Sequence, residues 1–315
     1  MIKQKLNILV TGCGGDIGQS VGKILNECAL IKNLYGCDIS DKNAARFIFE
    51  NFFIGLPCTN PNYISNLETI VLEKKIDFIL PISEPELRFF TYNGVSEIAN
   101  AKLIMASKKA LEVGFDKLKT ADFLKNENFP FPITHSVETI DTIHKFPVIL
   151  KSRTGSGSSN VSIVSDNDTY VFLKKCSTDF IVQEFLDGDS GEFTCGLFRS
   201  KSGIIRCIIL KRELMGGFTG YGEVIENKVI EQLLHNLAEK LQLTGSINVQ
   251  LRLTSKGPVV FEINPRFSST VRFRDLLGFK DIQWSLEDMI GIPVSNYIET
   301  SVGKKIYKGF NEYIQ

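Results

Sequence analysis

Residues 245–274, GSINVQLRLTSKGPVVFEINPRFSSTVRFR, form the stretch that decides how the fold is interpreted. Apolar side chains take the odd positions from 247 to 253, and after a short polar segment they take the odd positions from 259 to 263. A period of two is typical of β-strands that have one face in a core. The segment at 255–257 predicts a three-residue turn with Gly257 in the left-handed conformation, so the stretch as a whole predicts a β-hairpin.

The even positions of this hairpin carry its polar side chains. In the expected register Gln250 lies opposite Glu262 and Asn248 lies opposite Asn264, and Arg266 follows just beyond a proline. Carboxylate and amide oxygens are hard ligands that suit Mg²⁺, and a guanidinium suits phosphate. The residues alone leave a second interpretation open, in which the polar face of an ordinary antiparallel pair is only solvated.

The bulk composition excludes several classes of protein. The 315 residues include 36 basic and 36 acidic ones, so no field that would attract nucleic acid or an anionic membrane is indicated. No apolar run approaches membrane-spanning length, and the N-terminus lacks a signal-peptide core. Seven cysteines without paired spacing indicate reduced thiols in a cytoplasmic protein, and three scattered histidines argue against a zinc site or a histidine-based triad.

The N-terminal third has the order strand, glycine turn, helix, strand. Apolar runs at residues 6–11, 34–37 and 78–81 predict buried strands of a parallel, Rossmann-like sheet. Three glycines permit a tight turn close to a ligand at a helix N-terminus, and Asp38 lies where a dinucleotide ribose would need a carboxylate. The glycines are Gly12, Gly15 and Gly18.

These features support an alternative function, that of an NAD(P)-dependent oxidoreductase. The glycine turn resembles the fingerprint of short-chain dehydrogenases, and Tyr170 and Lys174 have the spacing of that family's catalytic pair. The same two residues also fit one face of an amphipathic helix that Asp166 or Asp168 would cap. Because both dehydrogenase signals arise often by chance, the pattern favours the structural explanation.

A loop rich in glycine and serine follows an apolar strand predicted at residues 146–151. The loop offers backbone N–H groups and hydroxyls without bulky side chains, which is how a protein covers a polyphosphate. It is not a Walker sequence, and the residues alone also fit a plain connection to a strand at 161–164. Lys151, at the end of a buried strand, needs an anion, which favours the phosphate-binding interpretation. The loop residues concerned are Gly155, Ser156, Gly157 and Ser158.

The hairpin and the loop together resemble an ATP-grasp nucleotide site, most closely that of the large subunit of carbamoyl-phosphate synthetase and its stand-alone relatives. In that family the Gln, Glu and Asn of such a hairpin hold two Mg²⁺ ions, for which Mn²⁺ is a substitute, and the Arg contacts phosphate or acyl-phosphate oxygens. By motif, the resemblance assigns these roles to Gln250, Glu262, Asn264 and Arg266. The matching positions run in one order from 117 to 266, and this order is more specific than any single match.

The resemblance also implies which residues hold ATP. Lys117, after an Asp-Lys helix start, and Lys151 would contact nucleotide phosphates, although Lys117 taken alone has the pattern of a surface lysine. A strand predicted at 180–186 would provide the hinge whose backbone binds the adenine edge, and a later acid would bind the ribose hydroxyls. The hinge residues are Glu184, Phe185 and Leu186, and the acid is Glu192, with Asp189 as the competing choice.

Three further residues have more than one interpretation. Lys211 and Arg212 follow a strand predicted at 204–210, and they would neutralise the transferred phosphoryl group, bind the acceptor or only form a basic edge. Glu84 follows the third predicted strand, where open α/β sheets bind ligands. It faces a substrate amine or caps a helix that starts at Glu86, and the sequence favours the cap.

The expected fold is α/β with an α+β C-terminal part. It comprises a Rossmann-like domain at 1–106, an ATP-grasp central lid at 107–186 and an antiparallel sheet domain with the metal site at 187–315. The resemblance implies an ATP- and Mg²⁺-dependent ligase that activates a small-molecule carboxylate as an acyl phosphate and joins it to an amine. The alternatives are the oxidoreductase and a non-catalytic ATP-binding regulator. The expected partners are small molecules, without nucleic acid or membrane, and a homodimer is compatible with the sequence.

Overall fold

The computed structural model describes residues 5–155, 161–187 and 191–314, and the strands of these residues form three sheets. The N-terminal sheet is mostly parallel and the other two are antiparallel, which confirms the predicted fold class. No helix within the described ranges is long and apolar enough to cross a membrane. Four predicted site residues, Ser156, Gly157, Ser158 and Asp189, lie outside the described ranges.

The N-terminal sheet contains six strands, β1 to β6: Leu6–Thr11, Ile31–Asp38, Asn51–Ile54, Phe78–Pro81, Glu97–Ile98 and Ala101–Leu103. Their order is β3-β2-β1-β4-β6-β5, and only the last pair is antiparallel. Three helices accompany the sheet, α1 to α3: Asp16–Asn26, Tyr63–Lys74 and Glu84–Tyr92. A 3₁₀ turn spans Ala44–Phe47.

Both faces of β1 are buried, which explains its unbroken apolar sequence. Ile8 and Val10 belong to one core with α1, whereas Leu9 belongs to a second core with α2 on the opposite face. The strands predicted at 6–11 and 78–81 have the observed bounds, and β2 begins three residues earlier than the predicted strand at 34–37.

Two helices, α4 Lys108–Gly114 and α5 Lys117–Asn126, lead into the second sheet. This sheet has four strands, β7 to β10: Thr134–Ser136, Val148–Ser152, Val161–Val164 and Phe180–Glu184. Their order is β7-β10-β8-β9, and all neighbours are antiparallel. One helix, α6 Asn167–Lys174, packs on it, and Asp166 caps that helix by accepting from the backbone N–H of Thr169 at 2.8 Å.

The third sheet holds six antiparallel strands, β11 to β16: Glu192–Arg199, Ile205–Met215, Phe218–Val224, Gly245–Thr254, Gly257–Asn264 and Lys305–Tyr307. Their order is β15-β14-β11-β12-β13-β16. Three more helices belong to this part, α7 to α9: Lys228–Lys240, Val271–Leu276 and Asp281–Met289. α7 covers one face, and Phe279 and Trp284 pack on the other.

The core under α7 also includes Ala110, Phe123 and Leu124 from α4 and α5. These two helices therefore share a core with the third sheet, although the sequence grouped them with the central lid. The predicted domain boundaries stay predictions, since a helix that connects two sheets can be grouped with either of them.

The β14–β15 hairpin confirms the predicted register at its polar end. Gln250 pairs with Glu262, and Asn248 pairs with Asn264. The prediction of a three-residue turn is wrong, because β14 ends at Thr254 and β15 begins at Gly257, which leaves a two-residue turn.

A bulge after Gln250 reconciles the shorter turn with the register. It places Val260 opposite Leu251, so Val260 is fully buried in the core. Phe261 is the extra residue, and its ring lines the cleft described below instead of the predicted core face. One additional residue is enough to turn a side chain to the other face of a strand.

Candidate active site

One cleft of about 1070 Å³ is lined by residues of all three sheets. Its walls include the glycine turn after β1, the end of β8, the hinge after β10 and the polar face of the β14–β15 hairpin. The cleft brings together the following predicted site residues: Lys117, Lys151, Gly155, Glu184, Phe185, Leu186, Glu192, Arg212, Gln250, Glu262, Asn264 and Arg266. Residues that are far apart in sequence thus meet at one place.

The hairpin supplies hard oxygen ligands to this cleft. Gln250 and Glu262 are paired across the two strands, and Asn264 lies two residues beyond Glu262 on the same strand. The Gln250 amide oxygen accepts a hydrogen bond from Arg212 at 2.9 Å and retains a second lone pair. Among the described residues no group of three or more His, Cys, Asp or Glu could hold a metal, so a metal site here depends on amide ligands. One carboxylate and two amides form a donor set that fits Mg²⁺.

Two lysines flank this donor set. Lys117 Nζ lies 3.7 Å from Glu262 Oε1 and donates to the carbonyl oxygen of Gly155 at 2.7 Å. Lys151 is only 6% exposed, and its Nζ lies 5.6 Å from the centre of the Phe261 ring. Burial lowers the pKa of Lys151 to about 8, and Glu262 opposes this shift. A buried ammonium of this kind gains most from an anionic ligand.

Asp116 holds the start of α5 beside the end of β8. Its carboxylate caps the helix by accepting from the backbone N–H of Leu118 at 2.9 Å. Arg153 donates to the same carboxylate through Nε at 3.0 Å and through Nη2 at 2.7 Å. These bonds keep Lys117 close to the strand that carries Lys151. Sequence reasoning missed this role of Arg153, because a partner 37 residues away leaves no local signal.

Glu192 lies between two arginines. Arg212 Nε donates to Glu192 Oε1 at 2.9 Å, and Arg252 Nη2 donates to Glu192 Oε2 at 3.2 Å. Lys211 is exposed and is absent from the described lining of the cleft, since neighbouring residues of a strand point to opposite faces. The described lining of the cleft thus includes Arg212 but not Lys211, and the two side chains do not form one basic patch there.

The hinge residues 184–186 close one side of the cleft. The backbone N–H of Glu184 donates to the carbonyl oxygen of Ile133 at 2.8 Å, and the Glu184 carboxylate accepts from the N–H of Ile133 at 3.2 Å. The Leu186 carbonyl oxygen accepts from Arg252 at 3.3 Å. The hinge is thus tied to the residue that precedes β7 and to β14, at one strand of each antiparallel sheet.

The glycine turn forms the other end of the cleft. Gly12 has a φ of +63°, and a Cβ at this position would lie 2.9 Å from the Cβ of Ser83. The backbone N–H of Gly14 donates to Asp38 Oδ2 at 2.7 Å. Asp38 therefore stabilises the turn that precedes it in sequence, and this bond occupies one oxygen of the carboxylate that the dehydrogenase alternative assigns to a ribose.

Two glutamates lie beside the glycine turn. The helix α3 starts at Glu84 and not at Glu86, its N-cap is Ser83, and Glu84 forms an ion pair with Arg88 at 2.8 Å. The prediction that Glu84 caps a helix is therefore wrong. Of the two glutamates, Glu86 is the buried one, and it accepts hydrogen bonds from Tyr63 at 2.7 Å and from Ser83 at 2.6 Å. Burial raises the pKa of Glu86, and these two hydrogen bonds oppose the shift.

The candidate dehydrogenase pair, Tyr170 and Lys174, lies on α6, the helix that packs on the second sheet. Neither residue belongs to the described lining of the cleft. The Tyr170 hydroxyl and Lys174 Nζ both donate to the carbonyl oxygen of Ile140 at 2.8 Å. We expect Tyr170→Phe to lower the free energy of unfolding by about 1 kcal/mol, because it removes one partly buried hydrogen bond. Nucleotide binding should not change. Urea unfolding and calorimetric titration with Mg-ADP and NADH would measure both, and a loss of NADH binding in the variant would restore the dehydrogenase alternative.

Comparisons with known proteins identify the same part of the chain. A family model described as an ATP-grasp domain matches residues 115–270. An uncharacterised protein, MJ0776, of Methanocaldococcus jannaschii is 28% identical over 58% of this chain and 49% of its own length. The 3-methyl-D-ornithine–L-lysine ligase of Methanosarcina barkeri is 23% identical over 72% of this chain and 62% of its length. The carbamoyl phosphate synthase large chain of Thermoplasma acidophilum is 24% identical over 66% of this chain and 22% of its length. The matches thus span less than two thirds of each of these relatives.

Solved structures share the fold. A purK protein, N5-carboxyaminoimidazole ribonucleotide synthetase in its ADP complex, superposes with a TM-score of 0.77 at 16% identity, over 97% of this chain and 81% of that one. An L-amino acid ligase of Bacillus licheniformis superposes with a TM-score of 0.71 at 17% identity, over 92% of this chain and 75% of that one. The three-sheet arrangement around the cleft is therefore common to these proteins.

Proposed function

Because this chain is an ATP-grasp superfamily protein, distantly related to the large chain of carbamoyl phosphate synthase, we propose that it is an ATP-dependent ligase. It activates a small-molecule carboxylate as an acyl phosphate and couples it to an amine or similar nucleophile, with release of ADP and phosphate. The observation that carries the proposal is the convergence of Lys117, Lys151 and Glu262 with the amides of Gln250 and Asn264 in one cleft.

In this proposal Lys117, Lys151 and Gly155 bind the phosphates of ATP, the hinge at 184–186 binds the adenine edge and Glu192 binds the ribose. Gln250, Glu262 and Asn264 would hold Mg²⁺, which when bound neutralises phosphate charge in the transfer step. The transfer itself needs mainly positioning and positive charge around the phosphoryl group. Arg266 and Arg212 supply that charge from the chain itself.

The glycine-turn end of the cleft is where we place the amine. Three carboxylates line it, Asp38, Glu84 and Glu86. Carboxylates attract and orient an ammonium group. The names of the ornithine–lysine ligase and of the L-amino acid ligase support a pair of substrates of amino-acid size.

The proposed chemistry uses no protein nucleophile. The described lining of the cleft contains Cys37 and Cys58 but no histidine. Burial raises the pKa of Cys37 to about 12 and also raises the pKa of Cys58, so both thiols stay protonated and weakly nucleophilic near neutral pH.

A thermal-shift comparison tests the function. At a hundred times its dissociation constant a ligand stabilises a protein by roughly 2.7 kcal/mol. We expect Mg-ADP and a non-hydrolysable Mg-ATP analogue to raise the melting temperature more than metal-free ATP, and NADH and NADPH to leave it unchanged. A shift with a nicotinamide cofactor alone would refute the ligase. ADP release in a screen of paired carboxylates and amines would then separate an enzyme from a non-catalytic ATP-binding regulator.

The role of Glu192 predicts a specific loss of ribose recognition. Glu192→Gln should weaken Mg-ADP binding about tenfold or more, a cost of about 1.4 kcal/mol, because one acceptor of the ribose hydroxyls loses its charge. In calorimetric titrations 2′-deoxyADP should bind the wild type more weakly than ADP does, and the variant should no longer discriminate between them. If the variant discriminates as the wild type does, Glu192 only holds Arg212 and Arg252, and the ribose contact belongs to another acid.

A further inference from the structure

Asn248 is a fully buried amide in the wall of the cleft. Its Oδ1 accepts three hydrogen bonds, from Thr194 Oγ1 at 3.0 Å, from Ser268 Oγ at 3.0 Å and from Arg274 Nη1 at 3.2 Å. A guanidinium can only donate, so the amide oxygen must be the atom that faces Arg274. The orientation of the amide is therefore fixed, and its nitrogen points away from these three donors.

The nitrogen of the same amide is buried and has no hydrogen-bond partner among the residues that the structure describes. Native proteins seldom leave a buried donor unpaired, and a ligand that enters the cleft can supply the missing acceptor. Asn248 pairs with Asn264 at the proposed metal site, and it lies four residues along β14 from Arg252, which pairs with Glu192 at the proposed ribose site. Along β14, Asn248 is thus farther from the proposed ribose site than Gln250 is, and it is level with the proposed metal ligand Asn264.

A buried ion pair supports the amide from behind. Arg274 is 0% exposed, and its Nη2 donates to Asp281 Oδ2 at 2.8 Å. Ser246 Oγ donates to the same oxygen at 2.7 Å. A Cβ on Gly196 would lie 2.6 Å from Arg274 Cδ, so only glycine leaves room for the arginine at this place. One guanidinium thus connects the ion pair to the oxygen of Asn248.

We propose that Asn248 is a substrate-binding residue that donates its Nδ2 hydrogen to a carboxylate oxygen of the phosphoryl acceptor. Arg274, held by Asp281, is a positioning residue that acts through Asn248. The inference rests on the proposed function and adds to it the contact that orients the carboxylate.

The contact fits the transfer step. One carboxylate oxygen bonds to the γ-phosphorus while the bond between that phosphorus and the β,γ-bridging oxygen breaks, and ADP leaves with the electron pair. The second carboxylate oxygen becomes the carbonyl oxygen of the acyl phosphate and keeps the hydrogen bond from Asn248. Holding this second oxygen directs the first one toward the phosphorus.

Asn248→Asp is the variant that isolates the donor, because its carboxylate can still accept from Thr194, Ser268 and Arg274 but no longer offers an N–H. Asn236→Asp is the matched control, since it makes the same chemical change at an exposed position of α7 outside the described lining of the cleft. The probes are Mg-ADP, then acetyl phosphate as the simplest acyl phosphate and inorganic phosphate as a phosphoryl group without the carbonyl, each added to the Mg-ADP complex. The melting temperature is measured at each step.

We expect acetyl phosphate to raise the melting temperature of the wild-type Mg-ADP complex, and the N236D variant to keep both increments. The N248D variant should keep the Mg-ADP increment and bind acetyl phosphate about ten- to a hundredfold more weakly, because it loses the hydrogen bond to the acyl oxygen and places a carboxylate beside that oxygen. Equal behaviour of acetyl phosphate and inorganic phosphate would assign the donor to a phosphoryl oxygen and overturn the proposal. A wild type that responds to Mg-ADP but not to acetyl phosphate would also overturn it, whereas no response to Mg-ADP would refute the proposed function itself.

The positioning role of Arg274 has its own readout. Arg274→Lys keeps a cation for Asp281 but cannot also reach Asn248, so it should weaken acetyl phosphate binding while the Mg-ADP increment stays. Adding Asn248→Asp to this variant should cause no loss beyond that of Asn248→Asp alone, because both changes act through one contact. Additive losses would show that Arg274 only stabilises the fold.

Discussion

Replacing Glu262 with glutamine should remove the Mg²⁺-dependent part of nucleotide binding and lower ADP formation by about a hundredfold or more. The substitution keeps the shape of the side chain and its place opposite Gln250, but a neutral amide is a much weaker ligand for a divalent cation than a carboxylate. The fold should be unaffected, because the only ion pair that Glu262 makes within the described ranges is with Lys117 at 3.7 Å. Melting temperatures with ADP, with and without Mg²⁺, measure the metal-dependent part before any substrate is known.

The exposed Glu73 of α2 provides the matched control, and Glu73→Gln should change neither quantity. Metal-free ATP should still stabilise the Glu262→Gln variant, since Lys117 and Lys151 remain. If Mg²⁺ strengthens nucleotide binding equally in the wild type and in the variant, the metal does not bind at this hairpin. If metal-free binding disappears as well, Glu262 holds the two lysines in place and the role assigned to it is structural.

The polar face of the hairpin could be predicted because it depends on local rules. A period of two places Gln250, Glu262 and Asn264 on one face of a strand pair, whatever the rest of the chain does. The same reasoning failed at Phe261, since a bulge depends on how the whole hairpin fits its core. The apolar pattern therefore assigned Phe261 to the wrong face while the neighbouring Glu262 was placed correctly.

Local sequence patterns could not predict side-chain partners that lie far apart in the sequence. Glu192 was found through its place in a motif, but its two arginines lie 20 and 60 residues away, and no pattern in the sequence connects them. Lys211 and Arg212 were taken together because the strand was expected to stop at residue 210. In the structure β12 continues to Met215, and strand alternation then separates the two side chains.

Replacing Lys151 with methionine should stabilise the ligand-free protein and abolish tight nucleotide binding. Methionine has a similar length and volume but brings no charge into the buried site at the end of β8. Burial lowers the pKa of Lys151 from 10.5 to about 8. Below pH 8 the folded protein therefore carries a protonated, buried Lys151, which lowers its free energy of unfolding. The variant avoids this cost, which is at most roughly 3 kcal/mol at pH 7. Loss of the phosphate contact should weaken Mg-ADP binding by about a hundredfold.

The pH dependence separates this explanation from a simple gain in packing. Between about pH 8 and pH 10.5 the unfolded wild type binds more protons than the folded one, so the wild-type free energy of unfolding rises with pH. That rise should be missing from Lys151→Met, and the two proteins should converge near the upper end of the window. Urea unfolding at pH 7 and at about pH 10 measures the difference, with Lys119→Met on the exposed face of α5 as the control. An equal gain at both pH values would mean that methionine only packs better. A gain in the free energy of unfolding that vanishes at high pH would show that the wild-type protein has a destabilising buried cation at position 151. Loss of Mg-ADP affinity in the same variant would show that this cation binds the nucleotide phosphate.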